Sequence, residues 1–557
     1  MLVASLSFAD AANWTLPQLL ERRVEETPDA VGIIDATGSL TYRDWLQAAK
    51  GVSAALVEHS GIEPGDRVLV WLPNGDAMSF ARVFHGGLDS GSIVVPADDR
   101  LPGPELRALL AETRIRAAVI SPTILRGLSR AGLESLGVPE GFTSGDSETE
   151  LLVPVEGDRL LFDRALALEP EIIAAGRIDA ASRAKDPGAC SFLGLTSGST
   201  GRPKGVMVGH GATVQLAERM VNDVFVKPRG GRPVDSTDVI QSPIPGYLTT
   251  SIVNNLYPAV LAGCPLVYER RRFDPEYSES RMVSAGTTIY SGGPAHFAMI
   301  CRLPETQDSK DMNVEVMITA GAPMNRDLYM SMRARWPRTA IANWFATNET
   351  LTGQTLNIGE DLDREPASVG RAIWPTEIRI ADDEGGPLAD GEEGELLMRA
   401  EGQMLGYFSP EATTVTAADW VGTGDRGYID ADGLLRIVGR TKERINRGGF
   451  KFYPIDVEQV LNQSPLVVES AVVGVPHPEF GQDAVAFVVL RDPAGEHYEV
   501  ERELRDFCRE RVARNKVPSR VIIVPALPRG GYAKVQKTEL LKLLAEKPQV
   551  EGGVGIR

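Results

Sequence analysis

The chain has 557 residues, of which 43% are hydrophobic and 24% are charged, as in an ordinary globular protein. This length is too great for one hydrophobic core, so two or more domains are expected. The net charge of -18 argues against a nucleic-acid partner and against docking on an anionic membrane, because both need a basic surface.

The first half of the chain alternates apolar runs with amphipathic segments. DRVLVWLPN and GSIVVPADD predict short strands, ELRALLAETRI predicts a helix, and RAAVISP predicts a strand that ends at a proline. VEVMITAGAP and TAIANWFA repeat the pattern further along. This alternation predicts an α/β fold, with a large N-terminal domain of mixed and parallel sheets and helices. In such sheets ligands bind at the carboxyl ends of the strands.

The longest uncharged run lies between Asp238 and Glu269. It contains Asn254, Asn255, several prolines and Gly263, which a membrane-spanning helix would not carry in one apolar window. We therefore expect a buried strand and helix here, and no membrane partner.

After about residue 385 the segments become shorter and richer in glycine, as in EGELLMRA and GYIDADGLLRIVGR. ESAVVGVPHPEFGQDAVAFVVL and the following VERELRDFCRERVARNKVPSRVIIV predict the order strand, strand, helix, strand. This part is expected to be a small, mobile α+β C-terminal domain.

Cysteine usage and the N-terminus suggest a cytoplasmic enzyme. The four cysteines are far apart and contain no C-x-x-C pair, so neither a zinc site nor a disulfide framework is indicated. The first residues, MLVASLSFADAANW, have no basic region followed by a long apolar core, so no signal peptide is predicted.

CSFLGLTSGSTGRPKG places an apolar strand before a loop of small residues. Such loops let backbone N–H groups approach phosphate oxygens, and here four hydroxyls and the Lys204 ammonium add further donors. The fixed-spacing motifs G-x-x-x-x-G-K-S/T, G-x-G-x-x-G and G-x-S-x-G do not fit this stretch. The stretch indicates an anion site, with a flexible surface loop as the alternative.

Two later stretches extend the pattern: WVGTGDRGYIDADGLLRIVGRTKERINRGGFKFYPIDVE at 420–458 and LPRGGYAKVQKTEL at 527–540. Together with 196–205, and in this order, they resemble the adenylate-forming superfamily of acyl-CoA synthetases, peptide-synthetase adenylation domains and luciferases. GSIVVPADDRLPGPELRALL and ITAGAPMN resemble further stretches of that superfamily, so the resemblance covers essentially the whole chain. It implies that ATP and a carboxylate give an acyl-adenylate and pyrophosphate, after which a nucleophile, often a thiol, displaces AMP.

The resemblance implies roles for particular residues of the phosphate site. Glu349 matches the acidic residue associated with Mg²⁺, and Lys534 matches the lysine that bridges the carboxylate and the α-phosphate. The loop that holds the β- and γ-phosphates matches Thr196, Ser197, Gly198, Ser199, Thr200, Gly201 and Lys204.

The resemblance also implies nucleotide contacts. Phe345 matches the aromatic residue that stacks on adenine, and Asn348 replaces a threonine that contacts the α-phosphate. Asp425 matches the acceptor for the ribose hydroxyls, and Arg440 matches a second nucleotide contact. Taken alone, Asp425 is also a good turn residue and Phe345 a plausible core aromatic.

The acid pocket is less well defined. Many members carry Pro-x-Phe-His where this chain has SPIPGYLTTS, with Tyr247 as the nearest aromatic residue, and Ala533 replaces the glycine before the catalytic lysine. Tyr247 is either a wall of the pocket or a core aromatic. The residues expected to bind the acid by resemblance are Tyr247, Tyr290, Gly292, Gly293, Ala320 and Phe345.

INRGGFKFYPIDVE resembles free-standing acyl- or aryl-CoA ligases more than peptide-synthetase domains. The favoured hypothesis is a ligase that uses ATP, Mg²⁺ and CoA on a small-molecule acid. Loading of a separate carrier protein, adenylation of an oxyanion such as nitrite for N–N bond formation, and a non-catalytic nucleotide-binding module are the alternatives. The resemblance implies an N-terminal adenylation domain at 1–440, a C-terminal lid domain at 441–557, and a hinge near Lys442.

Overall fold

The computed structural model describes residues 13–139, 149–177, 180–196, 204–269, 273–306, 309, 312–373, 376–409, 414–492, 497–529 and 535–546. The first strands along the chain are β1 (Val31–Ile34), β2 (Ser39–Thr41), β3 (Arg67–Trp71), β4 (Ile93–Pro96), β5 (Ile115–Ile120), β6 (Leu151–Glu156), β7 (Arg159–Leu160) and β8 (Leu166–Ala167). The next are β9 (Cys190–Thr196), β10 (Lys204–Gly209), β11 (Ile240–Ser242), β12 (Leu266–Tyr268), β13 (Ile289–Gly292), β14 (Val316–Thr319), β15 (Ala340–Ala346), β16 (Gln354–Ile358) and β17 (Arg371–Ala372). The last are β18 (Glu377–Ala381), β19 (Gly394–Arg399), β20 (Gly406–Tyr407), β21 (Val421–Ile429), β22 (Leu435–Arg440), β23 (Ile445–Arg447), β24 (Phe450–Phe452), β25 (Val467–His477), β26 (Gly481–Leu490) and β27 (Arg520–Ile523).

Helices separate many of these strands. The first are α1 (Leu16–Glu26), α2 (Tyr42–Ser60), α3 (Ala77–Asp89), α4 (Gly103–Thr113), α5 (Pro122–Gly127), α6 (Arg130–Leu136), α7 (Pro170–Ala174), α8 (His210–Arg219) and α9 (Thr249–Ser251). The others are α10 (Tyr257–Ala262), α11 (Pro275–Ala285), α12 (Pro294–Ile300), α13 (Arg326–Arg335), α14 (Gly359–Arg364), α15 (Pro454–Leu461), α16 (His497–Arg509) and α17 (Lys537–Glu546). Short π-helical segments at Met220–Val226 and Ile252–Leu256 continue α8 and α9.

The chain divides into two compact units. The larger comprises Met1–Ile378 and Met398–Val421, and the smaller comprises Arg379–Leu397 and Gly422–Arg557. This confirms the expected α/β class with a large N-terminal and a smaller C-terminal part. This division into compact units does not show where the chain bends during the reaction. The hinge near Lys442 and the domain boundary at residue 440 therefore stay predictions.

The larger unit contains two nine-stranded sheets within its described residues. One has the order β17-β16-β15-β14-β13-β11-β12-β1-β2, and its strands from β15 to β1 run parallel. The other has the order β20-β10-β9-β4-β3-β5-β6-β7, with β8 on β6, and its parallel strands are β9, β4, β3 and β5. The mixed and parallel sheets predicted from the alternating pattern are therefore present.

Local sequence explains where these elements begin and end. The helix α2 begins after Thr41, whose hydroxyl accepts the Asp44 N–H at 3.1 Å, and it ends at Gly61, whose φ of 61° suits glycine. The run between Asp238 and Glu269 forms β11, the helical segments at 249–262 and β12, all largely buried, as predicted. Over the described part of the chain, no helix is both long and apolar enough to cross a membrane.

The smaller unit holds most of the sheet β18-β19-β21-β22 and the five strands in the order β24-β23-β26-β25, with β27 on β26. The predicted order strand, strand, helix, strand is confirmed by β25, β26, α16 and β27. The helix α16 packs against this sheet because Leu504 and Cys508 are fully buried in a core that also contains Val472 and Val521.

Candidate active site

Four of the predicted acid-binding residues lie at or near the carboxyl ends of parallel strands of the larger unit. Tyr247 comes after β11, Gly292 ends β13, Ala320 follows β14, and Phe345 lies one residue before the end of β15. The Ala320 N–H donates to the Gly292 carbonyl at 3.3 Å, so neighbouring strand ends are in contact. This is the edge where α/β sheets bind ligands.

Packing explains the glycines at this edge. A Cβ atom on Gly292 would lie 3.3 Å from the ring of Tyr290 and 3.4 Å from Nδ1 of His296, which is closer than most side chains allow. Gly293 is the N-cap of α12, and its N–H donates to His296 Nδ1 at 3.0 Å. The backbone is thus held close to the side chains behind it.

Tyr290 lies deeper than the other predicted acid-binding residues. It is fully buried, its ring lies 5.5 Å from that of Phe297, and its hydroxyl forms a 2.8 Å hydrogen bond with Ser278. Ser278 also donates to Glu269 at 2.7 Å, and Gln241 Nε2 donates to the same carboxyl oxygen at 2.9 Å. The structure therefore places Tyr290 in a buried polar network.

The carboxyl group of this network makes stability depend on pH. Burial raises the pKa of Glu269 to about 7, although hydrogen bonds from Gln241, Ser278 and Tyr290 oppose the rise. A raised folded-state pKa contributes stability that is complete below the unfolded pKa, about 4.3, and is lost as the pH rises through about 7. In the wild type this carboxyl is expected to lower the free energy of unfolding by about 1–3 kcal/mol between pH 5 and pH 8. We expect Glu269→Gln, which cannot ionise, to lose that decrease. Urea unfolding of both proteins from pH 4 to 8 measures it, and equal slopes would contradict the assignment.

Tyr247 stands beside a carboxylate. Its hydroxyl donates to Asp98 Oδ2 at 2.8 Å, and Arg100 Nη2 donates to the same oxygen at 2.8 Å. Burial alone would raise the pKa of Asp98, but the hydrogen bonds from Arg100 hold it below its ordinary value, and the pKa of Tyr247 is raised by burial and by Asp98. Tyr247 and Phe80 also border a small cavity of about 10 Å³, room for about one water. The Tyr247 hydroxyl is thus engaged by Asp98.

The predicted phosphate loop lies in the chain between two paired strands. β9 and β10 pair antiparallel with Thr196 opposite Lys204. The backbone of Thr196 is described, and Lys204 is exposed with its ammonium 5.2 Å from the centre of the Tyr407 ring. The intervening loop residues and the predicted catalytic lysine lie outside the described residues: Ser197, Gly198, Ser199, Thr200, Gly201 and Lys534.

The predicted metal residue lies in the turn after β15. Thr347 and Thr350 close this turn with reciprocal backbone-to-hydroxyl hydrogen bonds of 3.2 Å. Asn348 and Glu349 are half-buried between them, and Tyr407 donates to Glu349 Oε1 at 3.1 Å. No lysine or arginine among the described residues forms an ion pair with Glu349.

The backbone after this turn is strained. Leu351 has a φ of 40°, in the left-handed region that a leucine rarely adopts, yet its side chain is buried. Such strain persists where surrounding structure fixes it and is found at ligand sites. Phe345 lies opposite Thr355 of β16 and is half-buried.

The predicted ribose acceptor, Asp425, and the predicted second nucleotide contact, Arg440, lie together in the smaller unit. Asp425 on β21 is paired across the sheet with Arg440 on β22, and Arg440 Nε lies 3.2 Å from Asp425 Oδ1. Asp425 is buried. Its backbone N–H donates to the Thr423 hydroxyl at 3.1 Å. Lys442 follows in the 3-10 turn Thr441–Glu443.

Three residues of the larger unit escaped the sequence analysis. Tyr407 lies in a two-residue strand, which carries no periodic signal. Asp98 was inside a quoted stretch, but nothing in the sequence pairs it with Tyr247, 149 positions away. Glu269 ends the long uncharged run, and its hydrogen-bond partners come from separate elements.

The fold is of the α/β class, and comparison with known proteins identifies the family. The AMP-binding enzyme family matches residues 20–408, and the AMP-binding enzyme C-terminal domain matches 456–534. The chain belongs to the AMP-binding enzyme family. It is an ATP-dependent, AMP-forming ligase that activates a carboxylic acid as its adenylate.

Relatives match along nearly the whole chain. A methyl-dioxo-octahydroindenyl-propanoyl:CoA ligase of Rhodococcus jostii is 30% identical, covering 94% of this chain and 98% of the relative. The long-chain-fatty-acid–CoA ligase FadD13 of Mycobacterium tuberculosis is 27% identical, covering 94% and 97%. The crystal structure of ATP-bound MatB from Rhodopseudomonas palustris has a TM-score of 0.77 at 24% identity, covering 96% and 99%, and shares the fold.

Proposed function

We propose that this ligase transfers its acyl group from the adenylate to CoA. The observation that carries the proposal is that full-length relatives, which span both family domains, are CoA ligases for very different acids. The adenylate forms when the acid's carboxylate oxygen attacks the α-phosphorus and pyrophosphate leaves. The CoA thiol then attacks the acyl carbon, losing its proton and releasing AMP.

The proposed phosphate site uses the hairpin of β9 and β10. The loop between Thr196 and Lys204 offers backbone N–H groups and hydroxyls to the β- and γ-phosphates, and Lys204 adds positive charge. Since negative charge accumulates on phosphate oxygens, positioned donors lower the barrier. Lys534 is proposed to bridge the carboxylate and the α-phosphate, and Asp425 to accept the ribose hydroxyls.

Mg²⁺ is proposed to bind at Glu349. Among the described residues no group of three or more histidine, cysteine, aspartate or glutamate side chains could hold a metal alone. This fits Mg²⁺, which commonly takes one or two carboxylates together with substrate phosphates and waters. Glu349 fits because its carboxylate is half-buried and has no cationic partner among those residues. The ion would neutralise phosphate charge.

The acid is proposed to be a free small molecule that binds at the edge formed by Gly292, Ala320 and Phe345, with Tyr247 as a wall. The hydrogen bond between the Ala320 N–H and the Gly292 carbonyl, which joins two of these strand ends, supports this placement. Because Asp98 holds the Tyr247 hydroxyl, Tyr247 is proposed to limit the length of the acid through its ring.

Pyrophosphate release across a panel of acids, with and without CoA, tests the proposal. Aliphatic, alicyclic and aryl acids are included with nitrite, and each reaction is repeated with a phosphopantetheinyl carrier protein in place of CoA. We expect one class of carboxylic acid to give pyrophosphate, and CoA to raise turnover and yield AMP. Turnover raised by the carrier protein alone, or by nitrite alone, would contradict the proposal.

A further inference from the structure

One short segment, Met404–Phe408, connects the phosphate hairpin to the turn that carries Glu349. The Met404 N–H donates to the Glu349 carbonyl at 3.1 Å. The Leu405 N–H donates to Met207 and the Phe408 N–H to Gly205, at 2.9 and 2.7 Å, along β10. The backbone of this bridging segment therefore fixes β10 relative to the turn after β15.

The side chain of Tyr407 makes the same connection at the level of the charged groups. Its hydroxyl donates to Glu349 Oε1 at 3.1 Å, and its ring lies under the ammonium of Lys204, 5.2 Å from the ring centre. The ring is half-buried, and its backbone is held in β20 opposite Val206. One rigid phenol thus contacts the cation expected on the phosphates and the carboxylate expected on the metal.

This arrangement can restrain two flexible side chains before a ligand binds. Glutamate and lysine side chains have many rotamers, and holding each in one geometry costs conformational entropy when the ligand binds. A hydrogen bond to one carboxylate oxygen orients the group and leaves the other oxygen for a ligand, as partners of metal-binding carboxylates do. The face of the same ring attracts the ammonium.

We propose that Tyr407 is a positioning residue that fixes the Glu349 carboxylate and the Lys204 ammonium relative to each other, so that Mg²⁺ and the phosphates of ATP bind as one unit. The inference rests on the proposed roles of Glu349 and Lys204. It assigns to Tyr407 an effect on the coupling between metal and nucleotide.

Binding of ATP without acid tests the proposal apart from catalysis. Calorimetry gives the ATP dissociation constant in EDTA and across a Mg²⁺ titration for wild type, Tyr407→Phe and Tyr407→Leu. For Tyr407→Phe we expect the half-saturating Mg²⁺ concentration to rise about tenfold, the scale of a hydrogen bond to a charged group, with ATP binding in EDTA unchanged. Tyr407→Leu, which also lacks the ring, is expected to weaken ATP binding in EDTA by about threefold as well.

A double-mutant cycle with Glu349→Gln separates positioning from general packing. If Tyr407 acts through Glu349, Tyr407→Phe raises the Mg²⁺ requirement in wild type and has no further effect on Glu349→Gln. Additive effects of the two substitutions, or an unchanged Mg²⁺ requirement in Tyr407→Phe, would overturn the proposal.

Tyr329→Phe is the matched control. Tyr329 also donates its hydroxyl to a carboxylate, Asp363, but near Ile341 at the opposite end of β15 from Glu349. This variant loses the same chemical group and is expected to keep the wild-type Mg²⁺ requirement; a rise equal to that of Tyr407→Phe would overturn the proposal. Failure of the proposed function is separately visible, because wild-type protein would then release pyrophosphate with an acid but form no acyl-CoA when CoA is added.

Discussion

Replacement of Lys534 by alanine is expected to cut adenylate formation at least about 10²-fold, the scale of losing one donor that acts in the transition state. The lysine is expected to bridge the carboxylate and the α-phosphate while charge moves between them, so its loss leaves that charge without a partner. Pyrophosphate release with saturating acid and ATP measures the effect. Melting temperature should stay near wild type, because a lysine that acts on the reacting groups is not needed for folding.

Lys542→Ala provides the comparison for that experiment. Lys542 lies on α17, is exposed, and pairs with Glu539 at 2.7 Å on the helix surface. The same loss of one ammonium is expected there to leave pyrophosphate release unchanged. Near wild-type pyrophosphate release by Lys534→Ala would refute the role assigned to Lys534, whereas equal losses in both variants would indicate a general effect of charge.

Replacement of Lys442 by proline is expected to spare adenylate formation and to slow thioester formation by about a hundredfold. The resemblance implies that the C-terminal domain rotates about this hinge between the two steps, so a change at the hinge slows the step that needs the rotation. Thr441–Glu443 forms a 3-10 turn directly after β22. Proline fixes φ at its own position and disfavours helical backbone at the residue before it. The variant therefore has fewer backbone conformations available at the predicted hinge. The rate of thioester formation, the step expected to need the rotation, is expected to fall most.

Lys442→Ala removes the same ammonium but keeps backbone freedom, so it is expected to leave both steps near wild type. Rapid-quench measurement of adenylate in the absence of CoA, followed by its decay after CoA is added, gives the two rates separately. Equal losses of both rates in Lys442→Pro would point to general damage and would contradict a hinge role for Lys442.

Hydrophobic patterning was sufficient to predict many elements of this fold. DRVLVWLPN forms β3, GSIVVPADD forms β4 and ELRALLAETRI forms α4, because short apolar runs and helical periodicity are local signals. Strand order was beyond such signals: β11 lies between β12 and β13, an arrangement set by long-range packing.

In the candidate site, too, local motifs predicted some features and long-range packing set the others. Motif position was enough to place Gly292, Ala320 and Phe345 near one another, because carboxyl ends of parallel strands share an edge. It could not show that Tyr290 belongs to a buried polar network, because its partner Ser278 comes from a different element and itself donates to Glu269. The contact between Tyr407 and Glu349 joins residues 58 positions apart and leaves no trace in either local pattern.

The most direct test of the central claim is a single-turnover reaction followed by mass spectrometry. Enzyme in excess is mixed with ATP and the best acid from the panel, quenched, and compared with a second sample to which CoA is added before quenching. We predict an acyl-adenylate without CoA, and with CoA its replacement by equal amounts of acyl-CoA and AMP. ATP bound but unchanged with every acid, or an adenylate that CoA leaves intact, would contradict the account.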